Sequence, residues 1–398
     1  MMFVINLFAL GNFAALLMMR CLDPALPQIA EEFSVDIHKV ASLTTAFALP
    51  YALIQPTLGA AGDLFGKARI IIGCLVILVL SCIAGALATS FELLFAARIA
   101  MGATAGGVFP LTLAMIGDLV PIEDRQAAVG RLLSASMTGT LMGSAISGVI
   151  ADFMGWRAAL FVFAALIAIA TGIMIVVLRK VPVGTGGATN LKGLLSGYRA
   201  IFANVHSWIV YPAVFLEGLC VLGLFSFVAI ILAQTGESRA SIAGLIIAAF
   251  SLGGFIYSIS VRAILSRIRV NSLMLWGGLI AAGALAIAAL GVAWPWMAVL
   301  FLIMGAGYYA LHGSLQIFGS ELAPEARGSA IAFFATCLFL GQAISPPLFS
   351  AGFSSLGITM TLIVTALVFA LVGVIASRTL WHKPSQNGVS PTEPQSPG

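Results

Sequence analysis

The 398-residue chain has 9% charged residues against 61% hydrophobic ones, a formal net charge of +4 and a mean hydropathy of +1.09. Soluble domains keep about a quarter of their residues charged, so this balance excludes an ordinary globular domain and implies a chain that crosses a bilayer many times. The bases fall in loops between apolar runs rather than on one face, which excludes nucleic acid as a partner.

Runs of about twenty apolar residues match a hydrocarbon core roughly 30 Å thick. They predict spans at 3–28, 40–61, 70–90, 93–116, 129–151, 157–178, 208–233, 240–261, 272–292, 296–319, 328–351 and 357–378. The first run has no basic segment ahead of it and no small-residue cleavage site, so it reads as a membrane helix rather than a removed signal. Residues 270–320 and 328–377 carry no Asp, Glu, Lys or Arg, yet each is too long for one span. Trp294-Pro295-Trp296 and Ser354-Ser355-Leu356-Gly357 supply the breaks that divide them. The expected fold is therefore all-α, with twelve transmembrane helices.

Twelve spans place both termini on one side. Loops there hold Lys67, Arg69, Arg125, Arg131, Arg179, Lys180, Lys192, Arg199, Arg262, Arg267, Arg269, Arg327, Arg378 and Lys383, whereas the opposite loops hold only Lys39, Arg157 and Arg239. By the positive-inside rule the termini are expected in the cytoplasm, for a protein of a bacterial-type inner membrane. The polar stretch 179–207 reads as a cytoplasmic linker between bundles at 1–178 and 208–378, and the Pro/Ser/Gln-rich 379–398 as a disordered tail. "DLVPIEDR" (118–125) and "GSAISG" (143–148) are answered in order by "ELAPEAR" (321–327) and "GQAISP" (341–346). That order favours an internal duplication into two pseudo-symmetric six-helix bundles, with a binding site at their interface.

A charge at mid-bilayer costs about 2.5–3.5 kcal/mol on insertion scales, so charged residues within spans are functional candidates. Asp23, Arg98 and Glu217 are the candidates for proton coupling. Arg20 stands one turn before Asp23 as its local partner. At a rise of about 1.5 Å per residue, Asp23 and Arg98 both fall in the outer third, where they could face each other, and Glu217 lies about 14 Å into the seventh span. Tyr308, His312 and Gln316 form a polar stripe at helical spacing in the tenth span, a candidate substrate-cavity wall; Asn12 and Gln55 are candidates from the first half. A packed helix contact is the structural alternative for that stripe. Cys21, Cys74, Cys82, Cys220 and Cys337 sit in or beside apolar segments without CxxC spacing, so neither a metal nor a disulfide is expected. No nucleophile elbow or phosphate loop appears, so neither an enzyme activity nor a cofactor is expected.

The stretch "GAAGDLFGKAR" (59–69) puts an acid and two bases in a chain almost without charge. Gly59 and Gly62 allow close helix packing, Gly66 suits a turn, and Asp63 is read near the start of the third helix, where the dipole favours an acid. This stretch resembles the loop signature between the second and third helices of the major facilitator superfamily. "RIAMGATAGG" (98–107) is similar to its fourth-helix pattern, "GTLMGSAISG" (139–148) to its fifth-helix Gly-rich pattern, and "GWRAALF" (155–161) to its turn into helix six. "LDPALPQIAEEF" (22–33) is similar to the end of helix one in the drug:proton antiporter branch. Leu64 stands where that loop signature usually has Arg, and Ser144 where the antiporter pattern commonly has Pro.

The resemblance implies a latch of Gly59, Asp63, Gly66, Lys67, Arg69, Asp118 and Arg125. In it Asp63, Arg125 and the start of helix eleven tie the halves together on the cytoplasmic side when the carrier faces outward. It also implies a helix-packing role for Gly139, Gly143 and Gly148. The expected function is that of a monomeric secondary transporter working by alternating access, in which protons drive efflux of a small amphiphilic or hydrophobic substrate across the lipid bilayer. Alternatives are an importer or facilitator of a small organic anion, with Arg98 and His312 as counter-charges, and a non-transporting membrane sensor on the same fold.

Overall fold

The computed structural model describes residues 2–178, 199–323 and 326–380, and these are helical throughout with short connections. Eleven of the described helices are long and apolar enough to cross a bilayer, and the shorter apolar Asn6–Leu17 precedes them. In chain order the twelve are α1 (Met2–Leu17), α2 (Ile37–Phe65), α3 (Lys67–Ala86), α4 (Phe91–Leu119), α5 (Ile122–Met154), α6 (Trp156–Leu178), α7 (Ser207–Gln234), α8 (Ala240–Leu265), α9 (Val270–Ala288), α10 (Trp294–Glu321), α11 (Arg327–Leu356) and α12 (Ile358–Thr379). The linker expected at 179–198 and the tail expected beyond residue 380 lie outside the described residues.

Local signals account for most boundaries. The Asp36 carboxylate accepts the His38 and Lys39 N–H groups at the start of α2, and the Ser90 hydroxyl accepts the Leu93 N–H at the start of α4. Pro295 sits in the first turn of α10, where its missing N–H costs nothing. Gly66, Gly155 and Gly357 end α2, α5 and α11 at φ +95°, +80° and +78°, a region that residues with a Cβ rarely adopt.

Two expectations need correction. The first span ends at Leu17 rather than at 28; a turn, a 3-10 segment (Asp23–Ala25) and a short helix (Leu26–Phe33) follow. Pro24 and Pro27 supply no N–H to a continuing helix. Asp63 lies in the last turn of α2, not at the start of α3, which begins at Lys67.

Apolar side chains gather into two main cores. One draws on residues 7–174 together with Ala240, the other on residues 201–380 together with Ala41. The halves meet where α2 lies along α11 and α5 along α8. Thr45 donates to the Ala343 carbonyl at 2.6 Å, and the Tyr51 and Phe339 rings are 4.4 Å apart. Gly148 and Gly244 face each other's helix with no room for a Cβ against Ala240 and Ser144. Small residues at such crossings let backbones touch where lipid offers no hydrophobic drive.

Candidate functional site

α7 is the least regular span, and it carries the buried acid. It runs as α-helix to Glu217, then as a π segment (Gly218–Leu222) and a 3-10 segment (Gly223–Phe227), before α-helix resumes at Val228. The irregular turns follow from contact with α11. A Cβ on Gly218 would overlap the Leu338 carbonyl, and one on Gly223 the Ser345 side chain, while Ser345 Oγ donates to the Leu219 carbonyl at 2.8 Å. Such π insertions often mark functional positions.

Glu217, at the edge of that segment, is fully enclosed. Its Oε2 lies 2.8 Å from His312 Nδ1 on α10, and its Oε1 has no partner. The Tyr308 ring stacks on the imidazole at 5.3 Å and 11°, and Phe334 covers it at 5.4 Å. The structure thus joins two groups that the sequence marks separately, the seventh-span acid and the tenth-span stripe. Gln316 continues that stripe but is exposed.

A second buried cluster bridges the halves. Arg20 Nη1 donates to Asp23 Oδ2 at 3.3 Å and to the Leu222 carbonyl at 3.0 Å, with the guanidinium 4.5 Å over the Phe225 ring. Thr44 Oγ1 donates to Asp23 Oδ1 at 3.2 Å and accepts from Ser226 Oγ at 2.7 Å. Leu222 ends the π segment, where the regular α-helical pairing is interrupted, and Arg20 uses its carbonyl. Arg98 is also buried, but its bonds go to the Met18 and Leu43 carbonyls, at 3.0 and 3.4 Å, and it lies 4.4 Å over Phe47. Arg98 therefore closes the C-terminal end of α1, while the bonds of Asp23 go to Arg20 and Thr44.

Near the middle of α1, Asn12 Nδ2 donates to Ser136 Oγ at 2.6 Å, and its Oδ1 has no partner; Gln55 on α2 is buried. A groove of about 700 Å³ opens between α1 and α5, lined by Asn6, Leu10, Phe13, Arg131, Ser134 and Thr138 among others.

The implied latch residues sit at the opposite end from Asp23. Lys67 Nζ meets Asp118 Oδ2 at 2.6 Å, and Arg125 donates to the Val120 and Gly117 carbonyls at 2.9 and 2.7 Å, covering the C-terminus of α4. Arg69 is exposed, Gly66 holds the α2–α3 turn, and Gly59 and Asp63 lie in the last two turns of α2. These bonds all lie within the first half. Gly139 and Gly143 allow α5 to touch the Phe13 and Leu17 carbonyls of α1, whereas Gly148 faces α8.

Between described residues, the hydrogen bonds that join the halves are Arg20 to Leu222, Ser226 to Thr44, Thr45 to Ala343, and Ala240 and Ser241 to Asp152. All lie toward the Asp23 end. Sequence reasoning does not single out Thr44, Ser226 or Asp152. A hydroxyl in an apolar helix costs little, and an acid at the end of a span reads as a loop residue. No group of three or more His, Cys, Asp or Glu able to hold a metal occurs among the described residues.

Two helical halves, sealed at one end around buried ionisable groups, define a polytopic membrane protein of the carrier type. The family model for the Major Facilitator Superfamily matches residues 8–346 and 238–397, and the chain belongs to that family. It is similar to Multidrug resistance protein 1 of Bacillus subtilis (strain 168), 28% identical over 216 residues, covering 54% of each chain. It is also similar to a triacylglyceride transporter of Mycolicibacterium hassiacum, 34% identical over 108 residues, covering 27% of this chain and 20% of that one. These matches span about half the relative's length or less. Among solved structures, a bacterial homolog of the human lysosomal transporter Spinster, inward-facing and unoccupied, superposes with a TM-score of 0.76 at 19% identity over 94% of this chain and 96% of that one. A POT family transporter in complex with 5-aminolevulinic acid gives 0.77 at 13% identity over 93% and 94%. At these identities the likeness concerns the fold.

Proposed function

We propose that the chain is a secondary transporter that works by alternating access and exports a small amphiphilic or hydrophobic compound in exchange for protons. The observation that carries this reading is the buried Glu217–His312 pair, set beside the irregular segment of a helix that also contributes to the seal between the halves. Charged groups in such a place are expensive and persist for a reason. In this reading the coupled proton is taken up and released at the pair, across the 2.8 Å contact between Glu217 Oε2 and His312 Nδ1. Gaining or losing a proton leaves net charge in a closed pocket, and that cost favours a change of state in which the pocket meets water.

Asp23 is the second proton site in this reading, placed so that its charge holds Arg20 and Thr44 in the seal. The substrate cavity is lined from Asn12, Gln55, Tyr308, His312 and Gln316. The latch of Asp63, Lys67, Asp118 and Arg125 closes the opposite mouth in the alternate state. The basic loops put the termini in the cytoplasm of a bacterial-type inner membrane, and the carrier works as a monomer of two bundles, 1–178 and 208–378, joined by a linker. A multidrug resistance protein among the relatives supports an amphiphilic substrate. Import of a small organic anion is less well supported, because Arg98 is 1% exposed and committed to two main-chain carbonyls and the Phe47 ring.

Purified protein in proteoliposomes, loaded with lipophilic dyes, tests the reading. An imposed pH gradient should drive dye movement against its own gradient, and Glu217→Gln should abolish that uphill movement. Dye flux indifferent to the pH gradient would refute proton coupling.

A further inference from the structure

The octapeptide "GAAGDLFG" (59–66) at the end of α2 has a twin, "GVIADFMG" (148–155), at the end of α5. Both read Gly-x-x-x-Asp, two apolar residues, Gly. In both, the final Gly stops the helix at positive φ, with its N–H on the carbonyl four residues back, Gly66 to Gly62 and Gly155 to Ala151. The acid is thus carried in the last turn of its own helix, where the dipole disfavours it. A residue misplaced locally needs its compensation elsewhere.

For Asp152 that compensation comes from the other half. Its Oδ1 accepts the Ala240 N–H at 2.7 Å and its Oδ2 accepts the Ser241 N–H at 2.9 Å, the first two residues of α8. α8 has no side-chain cap of its own. Arg239, at the N-cap position, is instead bound through its guanidinium to Glu237 at 2.8 and 2.6 Å. Gly148 and Gly244 allow the approach, since a Cβ on either would strike the facing backbone at Ala240 or Ser144.

The two motifs sit on corresponding helices: α2 lies against α11, and α5 against α8. The start of α11 likewise lacks a side-chain cap. We propose that Asp152 is a state latch: by capping α8 in trans it holds the Asp23 end of the carrier shut, opposite in effect to the latch that the family resemblance implies for Asp63. This inference rests on the alternating-access reading, but not on protons or on any substrate.

Spin labels at Leu87→Cys and Leu290→Cys test it. Both positions are exposed, at 63% and 68%, on loops at the Asp23 end of different halves. In a Cys337→Ser background in lipid nanodiscs, pulsed dipolar spectroscopy reads the populations of short and long label distances. Asp152→Ala should raise the long-to-short ratio about tenfold, the factor expected for losing one charged cap. Asp152→Asn keeps an acceptor oxygen and should shift the ratio less, while Asp63→Ala should lower it. Distances in Asp152→Ala that match those of the parent would overturn the latch, as would a shift of the same sign in Asp63→Ala. Should the alanine variant fail to fold, an unshifted ratio in Asp152→Asn would count equally against it. Because the readout is a distance without substrate or pH gradient, its failure is separate from failure of proton-coupled transport.

Discussion

Replacing His312 by Ala isolates the energetic role of the buried pair. The substitution removes the 2.8 Å contact to Glu217 Oε2, and Oε1 already has no partner, so the whole carboxylate is left unpaired in a site with 0% exposure. A buried polar group left without its hydrogen-bond partner costs about 1–3 kcal/mol. Loss of the imidazole ring between Tyr308 and Phe334 adds about 0.5–1.5 kcal/mol for each aromatic contact. With the imidazole already gone, adding Glu217→Gln has no contact to His312 left to break. The double variant should therefore be less destabilised than the sum of the two single variants by about 1 kcal/mol or more. Unfolding titrations in mixed micelles, run as a double-mutant cycle, measure this coupling. Additivity within about 0.5 kcal/mol would show that Glu217 does not depend on the imidazole and would refute the pairing.

Gly102→Ala places a Cβ into the Phe47 carbonyl at the α2–α4 crossing and should cost about 1–3 kcal/mol in the same titration. Gly283→Ala is its control, since nothing lies within 4 Å of an added Cβ there; it should be neutral or stabilise by about 0.4–1 kcal/mol. In the loop before α8, hydrogen bonding to Arg239 holds the Glu237 carboxyl down to about 2. Because that lies below the unfolded value of about 4.3, the pair's stabilisation is complete above that pH and vanishes as pH falls through about 2. Glu237→Gln should therefore lower the melting temperature slightly at pH 7, with a difference that shrinks to nothing near pH 2; a constant difference would refute the assignment.

Span number and most span ends are legible in the residues themselves. The break expected at Trp294-Pro295-Trp296 is where α10 begins, and Gly357 ends α11 as its place in the break implies. These features depend on hydrocarbon thickness and on Gly and Pro backbone chemistry, both local. The Arg20–Asp23 pair is legible too, because three residues on one segment are neighbours whatever else the chain does.

Other features needed the third dimension. The unwinding of α7 beside Glu217 depends on the α11 backbone pressing on Gly218 and Gly223. That Asp23 bonds to Arg20 and Thr44, while Arg98 takes the carbonyl at the end of α1, is decided by where that helix breaks. Glu217 and His312 each stand out as polar groups in an apolar run, yet they come from α7 and α10, and only the rotation of each helix about its axis brings Nδ1 to Oε2. Asp152 reads as a loop acid until α8 is laid against it. Transfer into lipid acts on each residue by its own chemistry, so hydropathy along the chain is enough to count and bound the helices. A hydrogen bond between distant helices falls off within an ångström or so, and its existence depends on packing that no single stretch encodes.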